Sequence, residues 1–315
     1  MTYATRADNV HLIDTKMFGF DRYHSAYLVV GNEVALIDTG APTSWEAVQE
    51  AIRAHGFALQ DIAHIFVTHA EHPDHGGNVG ALLKENERAV VYVSPIGAEY
   101  LTDPAVESEN RKRNLAPEMA ARFGEMEPVS PSRLRLLGDG DRVDLGNGVM
   151  LRVIFTPGHQ PSGLVVFEEK YSGLFVNDLC GASFADADAY WIFSPYRSDV
   201  RQAMASLKKI ELLPMKRLFL GHYGISERPQ EVLQRASANM QVLLDIGAQC
   251  MREQKPKEIE RRVLATLMPE VEKMCGARDK RLCAYLKGEL APSLVKAFAS
   301  YYRPSGAWWR PSVRM

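Results

Sequence analysis

The segment Thr68-His69-Ala70-Glu71-His72-Pro73-Asp74-His75-Gly76-Gly77 decides how the rest of the chain is read. It sets three histidines and two carboxylates within seven residues, directly after the apolar run Ile62-Ala63-His64-Ile65-Phe66-Val67. A short apolar run of this kind reads as a buried strand. The loop that leaves it is a dense cluster of metal-ligand side chains. One histidine in such a loop is most simply a capping or surface residue. Five crowded imidazole and carboxylate groups are most simply explained by a cation among them. No cysteine takes part, so ligand type does not choose between zinc, iron and manganese.

Working outward, strands and helices alternate. Residues 10–18, 25–31 and 33–40 read as strands, with Gly31-Asn32 as the hairpin turn between the second and third. Residues 44–56 have helical apolar spacing behind a Ser44 cap and stop at Gly56, and Gly76-Gly77 opens a helix over 78–84. Another strand follows at 90–94. This β-α-β-α order predicts a layered α/β fold. Residues 97–133 are polar and helix-prone and read as an insertion. Strand alternation resumes from 134 to 159 through Asp-Gly and Asn-Gly turns, then continues in GLVVFEE and GLFVND. A helix over 199–212 and a strand over 217–222 come next, and the pattern from 228 onward is helical. Two strand-rich halves meeting near residue 140 predict two sheets with helices outside. The expected division is a metal-binding domain over 1–227, with the insertion at 97–133, and a helical C-terminal extension over 228–315.

Composition narrows the function classes. The 315 residues are 46% hydrophobic and 24% charged, enough for a large core. Lys and Arg total 37 against 39 Asp and Glu, a net charge of −2, which argues against a general binder of nucleic acid or membrane surfaces. Four cysteines without a C-x-x-C pair make no disulfide scaffold, and no stretch approaches the roughly 20 apolar residues that span a bilayer. The expectation is a cytoplasmic protein with a small-molecule substrate and no nucleic-acid or membrane partner.

Strand-T-H-…-H-x-D-H-x-G resembles the signature of the metallo-β-lactamase-fold superfamily, in particular its uncharacterised prokaryotic metallohydrolases. Later elements come in the family's order: Thr156-Pro157-Gly158-His159, Asp178 in LFVND, and Gly221-His222 in LFLGH, with Asp38 in IDTG preceding the histidine loop. The resemblance implies a four-layer αββα sandwich and a dinuclear centre. His69, His72 and His159 would hold one ion, Asp74, His75 and His222 the second, and Asp178 would bridge them. Zinc is the first expectation, with iron or manganese as alternatives. Two divalent ions about 3.5–4 Å apart need bridging anions, and a shared water loses its proton near neutral pH. The implied activity is hydrolysis, with metal-bound hydroxide attacking an ester, lactone, thioester or phosphodiester and Asp74 holding the water. Asp38 would orient the histidine loop through hydrogen bonds.

One departure bears on the ligand set. The family pattern has one residue between its first two histidines, whereas Ala70 and Glu71 make two here. A bulge would let His69 and His72 both bind. Alternatively Glu71 ligates, which resembles the flavodiiron and oxygen-binding diiron branch of the fold and would need electrons from a separate partner. A third reading is an impaired first site in a binding or sensing protein.

Other candidates surround this set. Tyr190, Trp191, Phe193 and Tyr196 would line an apolar pocket or, equally, pack against the insertion. Tyr223, beside His222, is a candidate for stabilising an oxyanion but more often such a residue is structural. Cys180 reads as a small packing residue. His11, His24, His55 and His64 fall outside the motif and take no metal role, although the loop FGFDRYHS could bring His24 to the pocket wall. The C-terminal helices are a candidate lid or homodimer surface, against which Trp308 and Trp309 would pack.

Overall fold

Apolar runs at the start of the chain pair in sequence order. Arg6–Ala7 (β1), Val10–Asp14 (β2), Ser25–Val30 (β3), Val34–Ile37 (β4), Ile62–Phe66 (β5), Val90–Val93 (β6) and Leu134–Leu136 (β7) form a seven-stranded sheet in that spatial order. β1 to β4 are an antiparallel meander, and β4 to β7 run parallel. Parallel neighbours require crossovers. These are supplied by Trp45–Ala54 (α1), by Pro73–Gly76 (α2) with Val79–Glu85 (α3), and by the insertion helices Pro95–Thr102 (α4), Ala105–Asn114 (α5) and Pro117–Phe123 (α6).

Arg142–Asp144 (β8), Met150–Phe155 (β9), Leu164–Glu168 (β10) and Gly173–Phe175 (β11) belong to a second sheet. Ser183–Phe184 (β12) and Ala189–Tyr190 (β13) form a separate ribbon, and Arg217–Phe219 (β14) with Ile225–Ser226 (β15) completes the second sheet in the order β15-β14-β11-β10-β9-β8. This computed structural model describes residues 5–190, 198–276, 278–300 and 302. They fall into two units: residues 1–156, 162–177 and 213–229, which hold both large sheets, and residues 157–161, 178–212 and 230–315.

In the first unit the two-residue alternation of β3 buries both faces of its sheet. Leu28 joins Leu36, Val48, Ile52, Ile65, Val91 and other residues in the hydrophobic cluster. Tyr27 points the other way, its ring 5.4 Å from those of Phe175 on β11 and Phe219 on β14, which stack at 4.5 Å. The buried Tyr27 hydroxyl donates to the Leu220 carbonyl at 2.7 Å, with the Gly224 carbonyl at 3.0 Å. Hydrophobic burial and one satisfied hydroxyl thus lock sheet to sheet. The backbone N–H of Ser25 donates to the Gly221 carbonyl and that of Leu164 to the Thr68 carbonyl, both at 3.0 Å, which joins the sheets along the edge where β5 and β14 end.

The second unit holds the β12–β13 ribbon and the helices Val200–Glu211 (α7), Pro229–Arg252 (α8, which starts at the end of the first unit), Ile259–Cys275 (α9), Lys280–Tyr285 (α10) and Ala291–Ser300 (α11). Asp199 caps α7 by accepting the N–H groups of Arg201 and Gln202, each at 3.0 Å. Arg278 and Asp186 form a buried ion pair, and the Arg278 guanidinium lies 5.2 Å from the centre of the Phe184 ring. No helix among the described residues is long and apolar enough to cross a membrane.

The expected strand over 10–18 stops at Asp14. The Asp14 carboxylate accepts the N–H groups of Lys16 and Arg22 at 3.0 and 2.7 Å, and Lys16 and Phe18 take left-handed backbone angles. Local hydrogen bonding overrides strand propensity here, and the resulting loop carries Phe18, Tyr23 and His24. Trp191, Phe193, Tyr196, Trp308 and Trp309 lie outside the described residues.

Candidate metal centre

The histidine loop begins where β5 ends and is fastened at once to the end of β4. Asp38 follows β4 in the left-handed region, at φ 61°. One of its oxygens accepts the Thr68 N–H at 2.9 Å, and the Thr68 hydroxyl lies 2.9 and 3.0 Å from the two oxygens. The second oxygen accepts from His75 Nδ1 at 2.7 Å. All three residues are buried. Because a carboxylate only accepts, His75 donates from Nδ1, and in the neutral imidazole the lone pair is then on Nε2.

Two side chains of this loop are engaged with the protein interior. Ala70 is fully buried in the hydrophobic cluster. Glu71 is an anchor: one oxygen accepts the Ser162 N–H at 2.8 Å, and the other accepts the Ser162 hydroxyl and the Ala70 N–H. Burial raises its pKa, and these bonds oppose the rise. Both oxygens of the alternative ligand thus accept hydrogen bonds that hold the loop, and Glu71 belongs to no converging ligand group among the described residues. The His69 ring lies 4.2 Å from that of His75.

Three ligand atoms do converge in the first unit. Groups on His24, Asp74 and His75 lie within 4.8 Å of one another, and all three residues are buried. Nε2 of His24 faces Nε2 of His75 at 3.3 Å, with the rings 4.7 Å apart and nearly perpendicular. Buried imidazole nitrogens beside a carboxylate are the donor set that divalent ions take, so the residues present fit a metal. His24, given no metal role in the sequence reading, falls within this candidate group. No motif marks it, because it stands alone immediately before β3, where the Ser25 N–H bonds the Gly221 carbonyl across the sheets.

Around this group, the His222 ring lies 5.9 Å from His24 and 5.6 Å from Tyr23. His72 is half-buried, its ring 5.5 Å from that of Phe123 on α6. Phe123 meets Phe18 edge-on at 4.8 Å, and Phe18 lies 6.3 Å from Tyr23. These aromatic neighbours come from the FGFDRYHS loop and the insertion, where the sequence reading had not sought them. Behind them Arg111 on α5 is buried, donating to the Gly124 carbonyl at 2.6 Å and pairing with Glu125 at 3.1 Å. Glu107, one helical turn earlier, is pushed up to about 7, chiefly by burial; Arg111 opposes this and the Asp74 charge adds to it. Tyr223 is buried.

Two further expected ligands belong to the second unit. Nε2 of His159 lies 3.6 Å from a carboxylate oxygen of Asp178, and both are buried. The turn carrying His159 is held to α7: the Gly158 carbonyl accepts the Asp199 N–H at 2.8 Å, and the His159 carbonyl accepts the Ser198 hydroxyl at 2.7 Å. Cys180 is buried, and burial raises its pKa, with Asp178 adding to the effect. Tyr190 is engaged within this unit: its N–H donates to Glu270, its carbonyl accepts from Asn239, and Arg235 lies 4.9 Å over its ring.

Comparison with known proteins extends this picture. The model of the metallo-beta-lactamase superfamily matches residues 19–222. The chain is 25% identical over 213 residues to "Putative diflavin flavoprotein A 1" of Nostoc sp., covering 63% of this chain and 33% of that protein. It is 28% identical over 217 residues to "Probable metallo-hydrolase YqjP" of Bacillus subtilis, covering 62% and 66%. The chain thus spans about a third of the flavoprotein's length. Among solved structures, the archaeal metallo-beta-lactamase superfamily protein ST1585 from Sulfolobus tokodaii shares the fold, with a TM-score of 0.62 at 24% identity over 76% of this chain and 87% of that one.

Proposed function

Because the chain belongs to the metallo-beta-lactamase superfamily, we propose that it is a hydrolase dependent on two divalent ions, acting on a small molecule with an ester, lactone, thioester or phosphodiester linkage. We assign His69, His72 and His159 to one ion, Asp74, His75 and His222 to the other, and Asp178 to both. When bound, such ions polarise the electrophile and lower the pKa of a water toward neutrality. The chain itself supplies orientation. Asp38 fixes the His75 tautomer from behind, and Asp74 holds and aligns the attacking water. Phe18, Tyr23 and Phe123 offer an apolar wall for a substrate with a hydrophobic part.

The observation that carries this reading is the buried convergence of His24, Asp74 and His75. The fold leaves the substrate open. A diiron redox or oxygen-binding role is the second reading, favoured by the likeness to the Nostoc protein. Against it stands Glu71, whose oxygens are taken by Ser162 and Ala70.

Metal analysis and an optical spectrum of protein purified without added metal separate the two. Two zinc ions without visible absorption support the hydrolase, whereas near-stoichiometric iron with oxygen-sensitive bands would overturn it. On any substrate found by a hydrolase panel, Asp74→Asn and His159→Ala should abolish turnover; unchanged turnover would refute their roles.

A further inference from the structure

His24 is fully buried, stands outside the ligand motif, and is built into its place from both sides. Its carbonyl accepts the Thr15 N–H at 3.0 Å and the Thr15 hydroxyl at 3.2 Å. The same hydroxyl oxygen lies 3.2 Å from His24 Nδ1. A hydroxyl has one hydrogen. When that hydrogen goes to the carbonyl, a neutral His24 donates from Nδ1 to the Thr15 oxygen and keeps its lone pair on Nε2, the tautomer that a metal ligand needs. On the next residue, the Ser25 N–H is bonded to Gly221, one residue before His222.

Nε2 of His24 lies opposite Nε2 of His75, whose Nδ1 donates to Asp38. In these tautomers both nitrogens present lone pairs, and a cation between them is held by both. The spacing identifies what fits. A tetrahedral ion with metal–nitrogen bonds of about 2.0–2.1 Å has neighbouring ligand nitrogens about 3.3–3.4 Å apart. The observed separation is 3.3 Å. Perpendicular rings, at 77°, let each nitrogen aim at a common point without the ring edges colliding. Asp74 supplies a carboxylate oxygen within the same 4.8 Å group.

We propose that His24 is a metal ligand, joining Asp74 and His75 on one ion, with Thr15 as the residue that sets its tautomer. This rests on the metal-dependent reading above. An added imidazole makes that site richer in nitrogen than the motif alone provides, which favours zinc-like ions over magnesium or calcium.

The test uses the full chain, stripped of metal, titrated with zinc against a chromophoric chelator, and separately loaded with cobalt(II) to read its ligand-field absorption. Wild type should bind two equivalents. His24→Ala should weaken one equivalent by about 100-fold or more, beyond the roughly 10–100-fold typical of residues that only support a ligand, and should change the cobalt spectrum. Thr15→Val should weaken the same equivalent by about 10-fold. His24→Gln keeps the volume and serves if the alanine variant does not fold, as judged by circular dichroism of the metal-free protein. Unchanged zinc affinity and cobalt spectrum in a folded His24 variant would overturn this inference and leave the hydrolase reading standing. A wild type that binds no metal would overturn both.

Discussion

Asp38→Asn isolates the role of a single charge. Asparagine keeps the shape of the side chain and tolerates the left-handed backbone at this position, φ 61°. What changes is the acceptor set. In the native protein the carboxylate serves the Thr68 N–H, the Thr68 hydroxyl and His75 Nδ1, at 2.7 to 3.0 Å. With the amide oxygen toward Thr68, its NH2 faces His75 Nδ1 and forces that nitrogen to accept. The His75 proton then moves to Nε2, the nitrogen 3.3 Å from His24, and no lone pair is left there for an ion. With the amide reversed, NH2 confronts the Thr68 N–H, donor against donor.

Either way the buried network loses about 1–3 kcal/mol, the difference between charged and neutral hydrogen bonds over three contacts. Zinc affinity should fall by about 10–100-fold, as for other residues that orient a ligand, or about 1.4–2.7 kcal/mol. Urea denaturation of the metal-free protein reads the first quantity, and zinc titration against a competing chelator reads the second. Equal zinc affinity in variant and wild type would refute the tautomer argument. A stability change smaller than about 0.5 kcal/mol would refute the view that Asp38 fastens the loop.

Three other substitutions probe separate features. His11 is held down to about 4 by burial, with Arg6 and His55 adding to the effect; the unfolded chain therefore takes a proton first, and stability is lost as pH falls from about 6.5 toward 4. Urea melts at pH 7 and pH 5 should show a larger loss for wild type than for His11→Gln, and equal losses would contradict this assignment. Ser162→Ala removes one bond from the buried Glu71 carboxylate and should cost about 1–3 kcal/mol in denaturant melts; a neutral effect would mean the anchor is dispensable. Gly158 sits at φ 136°, where an added Cβ would run into the backbone of Ala203 on α7, so Gly158→Ala should destabilise by about 3 kcal/mol or more, and a melting temperature within a degree of wild type would rule the clash out.

Much of the centre was legible because its chemistry is local in sequence. Thr68 to Gly77 packs its ligand types side by side, and the apolar run before it can only be a buried strand. Asp38 was legible as an orienting residue through the family resemblance, since Asp-Thr-Gly after a strand reads almost as well as a simple turn. The path of the loop was not legible. Whether Ala70, Glu71 or His72 faces inward depends on which of them finds a partner, and Glu71 finds Ser162, which lies 91 residues later. Tyr190 shows the same limit: its environment is Arg235, Asn239 and Glu270, residues whose nearness no spacing announces. The strand expected over 10–18 failed for a local reason, since Asp14 bonds the backbone of Lys16 and Arg22 in place of a strand neighbour.

The sequence by itself determined the order of strands and helices, the family, and the stretch that carries the ligands, because apolar period and ligand density are properties of neighbouring residues. Only the tertiary structure decided which imidazoles meet. His24 and His75 are 51 positions apart, one just before β3 and the other in α2. They face one another because two sheets, joined by Tyr27 and by the Ser25 bond to Gly221, bring strand ends from distant parts of the chain to one edge. Contact between buried groups is set by how sheets stack, and stacking is a sum over the whole core that no short window of sequence contains.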